Sequence, residues 1–311
     1  MLTIFTLPKP FEGDIGRAQR NAVRSWKRLD PDCQVVLCGD SRDLDDAAAR
    51  LGVDRATDIA CTELGTPLVS SAFDRVAEMA RHDVLCYANA DLIFLPDFTA
   101  AVRAVRAEQQ RFLIVGECCD MAVDEEVSED AFVAGSAWER ALRDRASAVG
   151  VARGPAWIDF FVFRRETIGP LPDFAVGRPG WDNWMIWHAR SVSMRVVDIT
   201  DSALVVHQSH GYSHVPRARG SRWEGPEGDA NRALLDFRQN LFTLEFATHR
   251  LVGSRLVTNR SGGIGRRVRV GLLLHAWTVP IYRALRACYR LTRRFTSDSG
   301  ADATAARRTV L

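Results

Sequence analysis

Apolar and polar positions divide the first 120 residues into short apolar runs separated by helical patterns. The runs have strand-like lengths and are bounded by charged, glycine or proline residues: 2–7, 34–38, 84–88 and 112–116. Between them, apolar residues recur at helical spacing and predict helices over 15–29, 44–51, 65–80 and 98–108. Strands that alternate with helices indicate βαβ units and a parallel sheet.

Beyond residue 120 the pattern is less regular. An acidic stretch over 120–130 predicts a loop, and 138–149 predicts a helix. Further short strands are expected at 158–163, 195–198 and 203–207. A composition change at residue 247 predicts three parts: a folded domain over 1–246, a basic amphipathic helical extension over 247–296 and a disordered tail over 297–311.

The small net charge of +2 conceals an asymmetry along the chain. Residues 255–311 contain 12 arginines and 2 aspartates, a balance of +10, which leaves −8 for residues 1–254. The stretch from 266 to 295 is both basic and apolar, which is typical of a helix on an anionic membrane surface. A terminal helix packed on the acidic body explains the same pattern. Nucleic-acid binding is a poorer explanation, because no recognised module accompanies the basic stretch.

The cysteines and the first residues indicate a cytosolic protein. The seven cysteines are odd in number, form no C-x-x-C pair and lie largely in strand-like runs, so we expect reduced, buried thiols. The chain opens on a strand-like run rather than on a secretory signal. We therefore expect a cytoplasmic location, with attachment to the inner face of the membrane as an option that the basic extension leaves open.

Asn89-Ala90-Asp91 joins two apolar runs and is the first candidate site. A carboxylate between two buried strands requires a cation, a hydrogen-bond network or a substrate as a partner. Alternation would place Asn89 and Asp91 on one side of the backbone, at the carboxyl end of a strand, where open α/β sheets bind ligands. The alternative is a turn in which both side chains only cap the backbone.

Asp182 and a group of histidines provide further candidates. Asp182 follows the glycine turn 177–180 at the start of a predicted helix, where it is either functional or an N-cap. Trp181 and Trp184 flank it, and aromatic faces stack well on sugar rings. The third group is the loop 207–214, in which three histidines follow a strand at a spacing unlike that of a structural zinc site. Asp40 ends a strand at the expected ligand edge and is placed to accept a hydrogen bond from a base N–H.

Taken together, four segments resemble a bacterial glycosyltransferase-like family with the GT-A fold of nucleotide-diphospho-sugar transferases. They are 5–11 (FTLPKPF), 87–91 (YANAD), 177–184 (GRPGWDNW) and 207–210 (HQSH). The resemblance covers about residues 1–240. It implies a mixed Rossmann-type sheet with helices on both faces, and a transferase that takes a nucleotide-diphosphate sugar as its donor.

The resemblance also implies roles for individual residues. Asp91 matches the last acid of the D-x-D motif, which holds Mn²⁺ or Mg²⁺ on the diphosphate, whereas Asn89 replaces the first acid and would contact the ribose or water. His207, with His210 second, matches the late histidine that completes the metal site. Asp182 matches the base at the head of the acceptor helix. Hard oxygen ligands and a carboxylate near the attacking hydroxyl suit this chemistry.

The remaining expected contacts belong to the donor and the acceptor. Thr6, Pro8 and Asp40 would line the nucleoside pocket. Arg20, or a helix start near Thr66 and Ser71, would meet the phosphates. The expected acceptor and sugar contacts are Asp159, Trp181, Asn183 and Trp184.

Three functions remain open at this point. The first is a glycosyltransferase that acts on a glycan or a lipid-linked acceptor. The second is a non-catalytic sugar- or partner-binding module, which Asn89 in place of an acid favours. The third is a sugar nucleotidyltransferase, which is less consistent with the sequence because no glycine- and lysine/arginine-rich loop follows the first strand.

Overall fold

A computed structural model provides the structure of the chain. The structure describes residues 2–209, 224–236, 238–239, 242–260, 263–275, 278 and 280–284. It divides into two compact units, 1–259 and 260–311. The predicted tail over 297–311 and much of the predicted basic helix lie outside the described residues, as does His210.

The described elements alternate over the first 115 residues, as the apolar pattern predicts. The strands are β1 (Thr3–Thr6), β2 (Gln34–Cys38), β3 (Asp54–Ala56), β4 (Val84–Ala88), β5 (Leu92–Phe94), β6 (Phe112–Val115), β7 (Cys119–Met121), β8 (Val151–Ala152), β9 (Phe160–Arg164), β10 (Arg195–Asp198), β11 (Val205–Gln208), β12 (His249–Val252) and β13 (Arg255–Thr258). The helices are α1 (Gly13–Lys27), α2 (Arg42–Leu51), α3 (Val69–Met79), α4 (Pro96–Glu108), α5 (Ala137–Val149), α6 (Trp181–Ser191), α7 (Pro226–Ala233) and α8 (Gly263–Leu274).

Nine of the described strands form the main sheet, in the order β13-β12-β10-β6-β9-β4-β1-β2-β3. The pairs that β1 makes with β2 and β4 are parallel, while β9 runs antiparallel between β4 and β6. Apolar side chains of β1, β2, β4 and β6 are fully or almost fully buried, which explains their continuous apolar runs. The predicted α/β class with a mixed sheet is confirmed.

The carboxyl ends of the parallel strands meet at one edge of this sheet. The chain passes from β1 to β2 on one side and later returns to β4 on the other side of β1. Such a change of direction opens a crevice at the strand ends, where doubly wound sheets bind ligands. The loops that follow β1 and β4 therefore lie at the edge where ligand binding is expected.

A second sheet of four strands, in the order β5-β11-β7-β8, was not predicted as a unit. β11 pairs antiparallel with β5 and parallel with β7. One face packs into the main core, and the other covers a separate cluster around Met121, Phe132 and Leu142. Asp120 lies in β7, which corrects the prediction that 120–130 is entirely loop.

The start of α3 and the end of the first compact unit differ from those that the sequence predicts. The first residue of α3 is Val69 rather than Gly65. Residues 60–68 instead form a turn, closed by an isolated antiparallel bridge between Cys61 and Pro67. The first compact unit extends to residue 259, beyond the predicted boundary at 246, because β12 pairs with β10 at the sheet edge. In the second unit α8 is described, and none of the described helices is long and apolar enough to cross a bilayer.

Candidate functional site

The Asn89-Ala90-Asp91 connection is a tight turn between β4 and β5. The backbone N–H of Leu92 donates to the carbonyl of Asn89 at 3.3 Å, which closes the turn. The prediction of a turn is therefore correct for the backbone. The two side chains do not cap it, however, because each points to a partner from a distant part of the chain.

Asp91 lies against His207. The pairing of β11 with β5 places His207 opposite Leu92, and His207 Nε2 lies 3.4 Å from Asp91 Oδ2. Gln208, the next residue, donates from its backbone N–H and from Nε2 to the Asp91 carbonyl, at 3.2 and 3.0 Å. This backbone tie fixes the position of Asp91 relative to β11. The structure thus brings together two of the predicted metal ligands.

Asp120 and Arg153 extend this contact. The parallel register of β7 and β11 places Asp120 beside His207, with Asp120 Oδ1 2.8 Å from His207 Nδ1. Arg153 directly follows β8, and its Nη1 lies 2.8 Å from both Asp120 Oδ1 and His207 Nδ1. The Arg153 side chain is only 10% exposed, so its charge acts within the site rather than in bulk water.

Asp159 and Asn89 complete a closed circuit of contacts. Arg153 Nε lies 3.0 Å from Asp159 Oδ2 in an ion pair that lacks hydrogen-bond alignment. Asn89 Nδ2 donates to Asp159 Oδ1 at 2.8 Å, and the Asn89 backbone N–H donates to the Asp159 carbonyl at 2.9 Å. We call this set the ring cluster; it consists of Asn89, Asp91, Asp120, Arg153, Asp159 and His207.

The ring cluster contains three carboxylates and one guanidinium. Burial lowers the pKa of His207, but the hydrogen bond and the charge of Asp91 outweigh this effect, so the pKa is raised overall. Burial raises the pKa of Asp159, although the charges of Arg153 and His207 oppose the shift. Even with His207 protonated the cluster is negative, so it attracts a further cation and repels a free diphosphate.

A divalent cation fits the pair formed by Asp91 and His207. Ligand atoms lie about 2.0–2.1 Å from Mg²⁺, so donors 3.4 Å apart can share one ion. Within the described ranges, no group of three or more His, Cys, Asp or Glu side chains is arranged to hold a metal. The pair of Asp91 and His207 therefore suits a cation that keeps several of its waters and binds substrate phosphate. A nitrogen ligand beside a carboxylate suits Mn²⁺ better than the harder Mg²⁺.

Asp182 lies at the first turn of α6, next to the ring cluster. Gly180 precedes the helix with a φ of 99°, a left-handed conformation that a glycine adopts without strain. Burial raises the pKa of Asp182 to about 6, against the opposing effect of backbone N–H groups at the helix start, and the charge of Asp159 adds to the rise. The charges of Asp91, Asp159 and Asp182 all contribute to the raised pKa of Tyr87, after burial. The charges of all three carboxylates therefore reach the Tyr87 hydroxyl.

The aromatic residues beside Asp182 belong to the core. Trp181 is 6% exposed and packs edge-to-face on Tyr87, with centroids 5.0 Å apart. Trp184 is 5% exposed and stacks on His188. Asn183 donates to the Phe242 carbonyl at 2.7 Å. This corrects the expectation that the tryptophans present open faces to a sugar, because their rings pack against protein.

The expected nucleoside residues lie around the ends of β1 and β2. Thr6 is fully buried at the end of β1, and Pro8 is partly buried in the following loop. Asp40 is exposed after β2, and its oxygens accept from the backbone N–H groups of Asp58 and Ile59 at 2.8 and 3.0 Å. Asp40 thus holds the loop that follows β3. Its carboxylate remains at the ligand edge, with backbone partners that sequence reasoning did not anticipate.

Three residues expected to meet phosphate have protein partners instead. Arg20 donates to both carboxylate oxygens of Glu126, at 3.0 and 2.9 Å. Thr66 lies in the turn before α3 and not at a helix start. Its backbone N–H donates to Thr62 Oγ1. The Ser71 hydroxyl accepts from the Ala60 N–H at 2.9 Å. The structure does not support the expected phosphate contacts of Arg20 and Thr66. The Arg20 guanidinium is paired with Glu126, and α3 begins at Val69.

Arg20→Ala is expected to leave nucleotide affinity within about twofold of wild type. The pair is partly exposed, so its loss should lower the free energy of unfolding by no more than about 1 kcal/mol. Calorimetric nucleotide titration and urea unfolding of the variant test both statements. A tenfold loss of affinity would instead return Arg20 to the donor site.

Sequence reasoning missed Asp120 and Arg153. Asp120 stands at the end of the apolar segment that contains β6, and parallel strands bring such positions to one edge. That signal was present but was hidden by the acidic residues that follow. Arg153 has no comparable signal, since its place depends on the pairing of the two-residue strand β8 with β7.

Solved structures resemble this chain in overall architecture. Residues 1–349 of S. aureus TarS, in complex with UDP-GlcNAc, align at 12% identity and a TM-score of 0.45 over 71% of this chain and 62% of that chain. Glucosyl-3-phosphoglycerate synthase of Mycobacterium tuberculosis, with Mn²⁺, UDP and phosphoglyceric acid, aligns at 15% identity and 0.41 over 68% and 71%. GalNAc-T7 with UDP, GalNAc and Mn²⁺ aligns at 13% and 0.48 over 76% and 47%.

Sequence comparison gives no relatives. No family model matches the chain, and the comparison with curated proteins gives no match. The chain spans less than two thirds of the TarS and GalNAc-T7 chains. Because the TM-scores lie below 0.5, we infer the function of this chain from the side chains of the site and not from these similarities.

Proposed function

We propose that this chain is a glycosyltransferase that transfers a sugar from a nucleotide-diphosphate sugar to a glycan or lipid-linked acceptor, with a divalent cation. The observation that carries the proposal is the ring cluster at the carboxyl edge of the sheet, with Asp182 at the helix start beside it. A pair of side chains that can hold a cation and a nearby carboxylate of raised pKa are the two groups that such a transfer requires.

The charges of the ring cluster support the need for a cation. Asp91 and His207 would hold it, and Asp120 would orient the His207 ring through Nδ1, as carboxylates next to metal-bound histidines do. The bound cation would neutralise the negative charge of the diphosphate leaving group. Arg153 offsets part of the negative charge on Asp120 and Asp159.

Asp182 would act as the general base. Its pKa of about 6 leaves it ionised at neutral pH and close enough to that pH to take a proton effectively. In the transfer, the acceptor oxygen bonds to the anomeric carbon, the bond from that carbon to the diphosphate breaks, and the hydroxyl proton passes to Asp182. Asp182 is partly exposed, so an acceptor hydroxyl can reach its carboxylate.

Calorimetric titration with UDP, GDP, ADP and dTDP, each with and without Mn²⁺, tests the donor site. We expect one nucleotide to bind in a Mn²⁺-dependent manner. Asp91→Ala should weaken this binding by at least about 100-fold, because a cation ligand is lost and the negative diphosphate is no longer compensated.

Asp83→Ala is the matched control. Asp83 directly precedes β4, at the end of the strand opposite to Asp91, and pairs with Arg106 and Arg164. This variant should bind nucleotide as wild type does. Absence of binding for all four nucleotides, with Mn²⁺ present, would contradict the proposal.

A further inference from the structure

The contact between Asn89 and Asp159 joins two loops at the base of the site. Asp159 is 5% exposed and directly precedes β9, the strand that pairs antiparallel with β4. Their backbones and their side chains are both hydrogen-bonded, at 2.9 and 2.8 Å. This double contact leaves the Asn89 side chain little freedom to turn.

The chemistry of the contact fixes which end of the Asn89 amide faces Asp159. Asn89 Nδ2 donates to Asp159 Oδ1, so the amide NH₂ points towards Asp159 and the amide oxygen away from it. On that other side the oxygen accepts a hydrogen bond from the Tyr87 hydroxyl at 3.4 Å, and an amide oxygen can accept one more. This oxygen belongs to the residue two positions before Asp91, in the same turn.

The other oxygen of Asp159 is also engaged. It faces Arg153 Nε at 3.0 Å, so the carboxylate lies between an amide and a guanidinium. Both oxygens of Asp159 therefore act within the protein. This arrangement suits a residue that positions its neighbours better than one that binds a ligand directly.

We propose that Asp159 is a positioning residue that orients the Asn89 amide so that Asn89 Oδ1 serves as a neutral oxygen contact for the cation and diphosphate at Asp91. The inference deepens the function proposed above and rests on it. Amide carbonyl oxygens are suitable ligands for hard cations. Asparagine at position 89 is then the complement of a buried carboxylate and not a lost acid.

The proposal explains why an acid would be unsuitable at position 89. A carboxylate there would lie within about 3 Å of the Asp159 carboxylate, and two such groups cannot both remain ionised without a large penalty. Exchanging the two residue types restores a complementary pair. The carboxylate introduced at position 89 would then accept from the amide introduced at position 159, whose oxygen can face Arg153.

The experiment compares wild type with Asn89→Asp, Asp159→Asn and the reciprocal double variant. Binding of Mn²⁺, added alone and with UDP, is measured by the loss of the free-ion EPR signal, and thermal unfolding is recorded without ligand. Each single variant should weaken Mn²⁺ binding by about 10- to 100-fold, the usual effect of losing a group that supports a metal ligand. The double variant should return to within about threefold of wild type and regain its melting temperature.

Asp83→Asn, at the other end of β4, is the control and should bind Mn²⁺ as wild type does. The inference is overturned if Asp159→Asn alone leaves Mn²⁺ affinity unchanged, or if the double variant binds as weakly as the single variants. If the single variants do not fold, the double variant decides the matter, because failure of that variant to fold also overturns the inference. A wild-type protein that binds no Mn²⁺ overturns the proposed function as well, and is recognised before any variant is compared.

Discussion

Asp182→Asn is expected to lower turnover by about 10²- to 10⁴-fold while making the protein more stable at neutral pH. The loss of turnover follows from removing a general base that an amide cannot replace. The gain in stability follows from the buried charge. The folded-state pKa of about 6 lies above the ordinary value of 3.8, so folding disfavours the ionised form.

The pH dependence of this effect has a definite sign. Below about pH 4 the carboxyl is protonated in both states and carries no penalty. Between about pH 4 and 6 the penalty develops, and above that range it reaches about 1–3 kcal/mol. Urea unfolding of both proteins should therefore diverge as the pH rises. The turnover of wild type should rise with pH through about 6, and this limb should be absent in the variant.

Asp74→Asn on α3 is a suitable control, because burial also raises the pKa of Asp74 away from the site. It should leave turnover unchanged. An Asp182→Asn variant that keeps more than about a tenth of wild-type turnover would exclude Asp182 as the base.

Arg153→Met is expected to destabilise the protein by about 3–5 kcal/mol at neutral pH. Arg153 is the only guanidinium within the ring cluster, where it contacts Asp120 and Asp159, and its side chain is only 10% exposed. Removing one member of a buried pair leaves charge without compensation, which costs much more than the pair itself contributes. Urea unfolding at pH 7.5 measures the effect.

Two further variants test whether the loss of stability comes from uncompensated buried charge. Arg103→Met removes an exposed pair with Asp30 and should cost no more than about 1 kcal/mol. Adding Asp159→Asn to Arg153→Met should recover part of the lost stability, because one uncompensated carboxylate is removed. A loss below about 1 kcal/mol in Arg153→Met would mean that solvent already screens the cluster.

The sequence predicted those parts of the fold that depend on local pattern. The apolar runs around β1, β2, β4 and β6 are continuous because these strands are buried on both faces. The expectation that Asp91 and His207 share one site came from the resemblance to the GT-A family. Their contact at 3.4 Å is consistent with it, although the metal roles stay a prediction.

The remaining features depend on contacts between distant segments. Arg153 enters the site because a two-residue strand pairs with β7, and a strand of that length leaves no periodicity to detect. Asn89 resembles a lost acid until Asp159 is placed beside it. Trp181 has the composition of a sugar platform, but its exposure is set by packing on Tyr87 and Phe161.

The most direct test is the anomalous scattering of Mn²⁺ in crystals grown with the nucleotide that binds. We expect one peak within about 2.0–2.3 Å of a carboxylate oxygen of Asp91 and of His207 Nε2, with diphosphate oxygens completing the coordination. A Mn²⁺ ion bound away from Asp91 and His207, with nucleotide present, would contradict it.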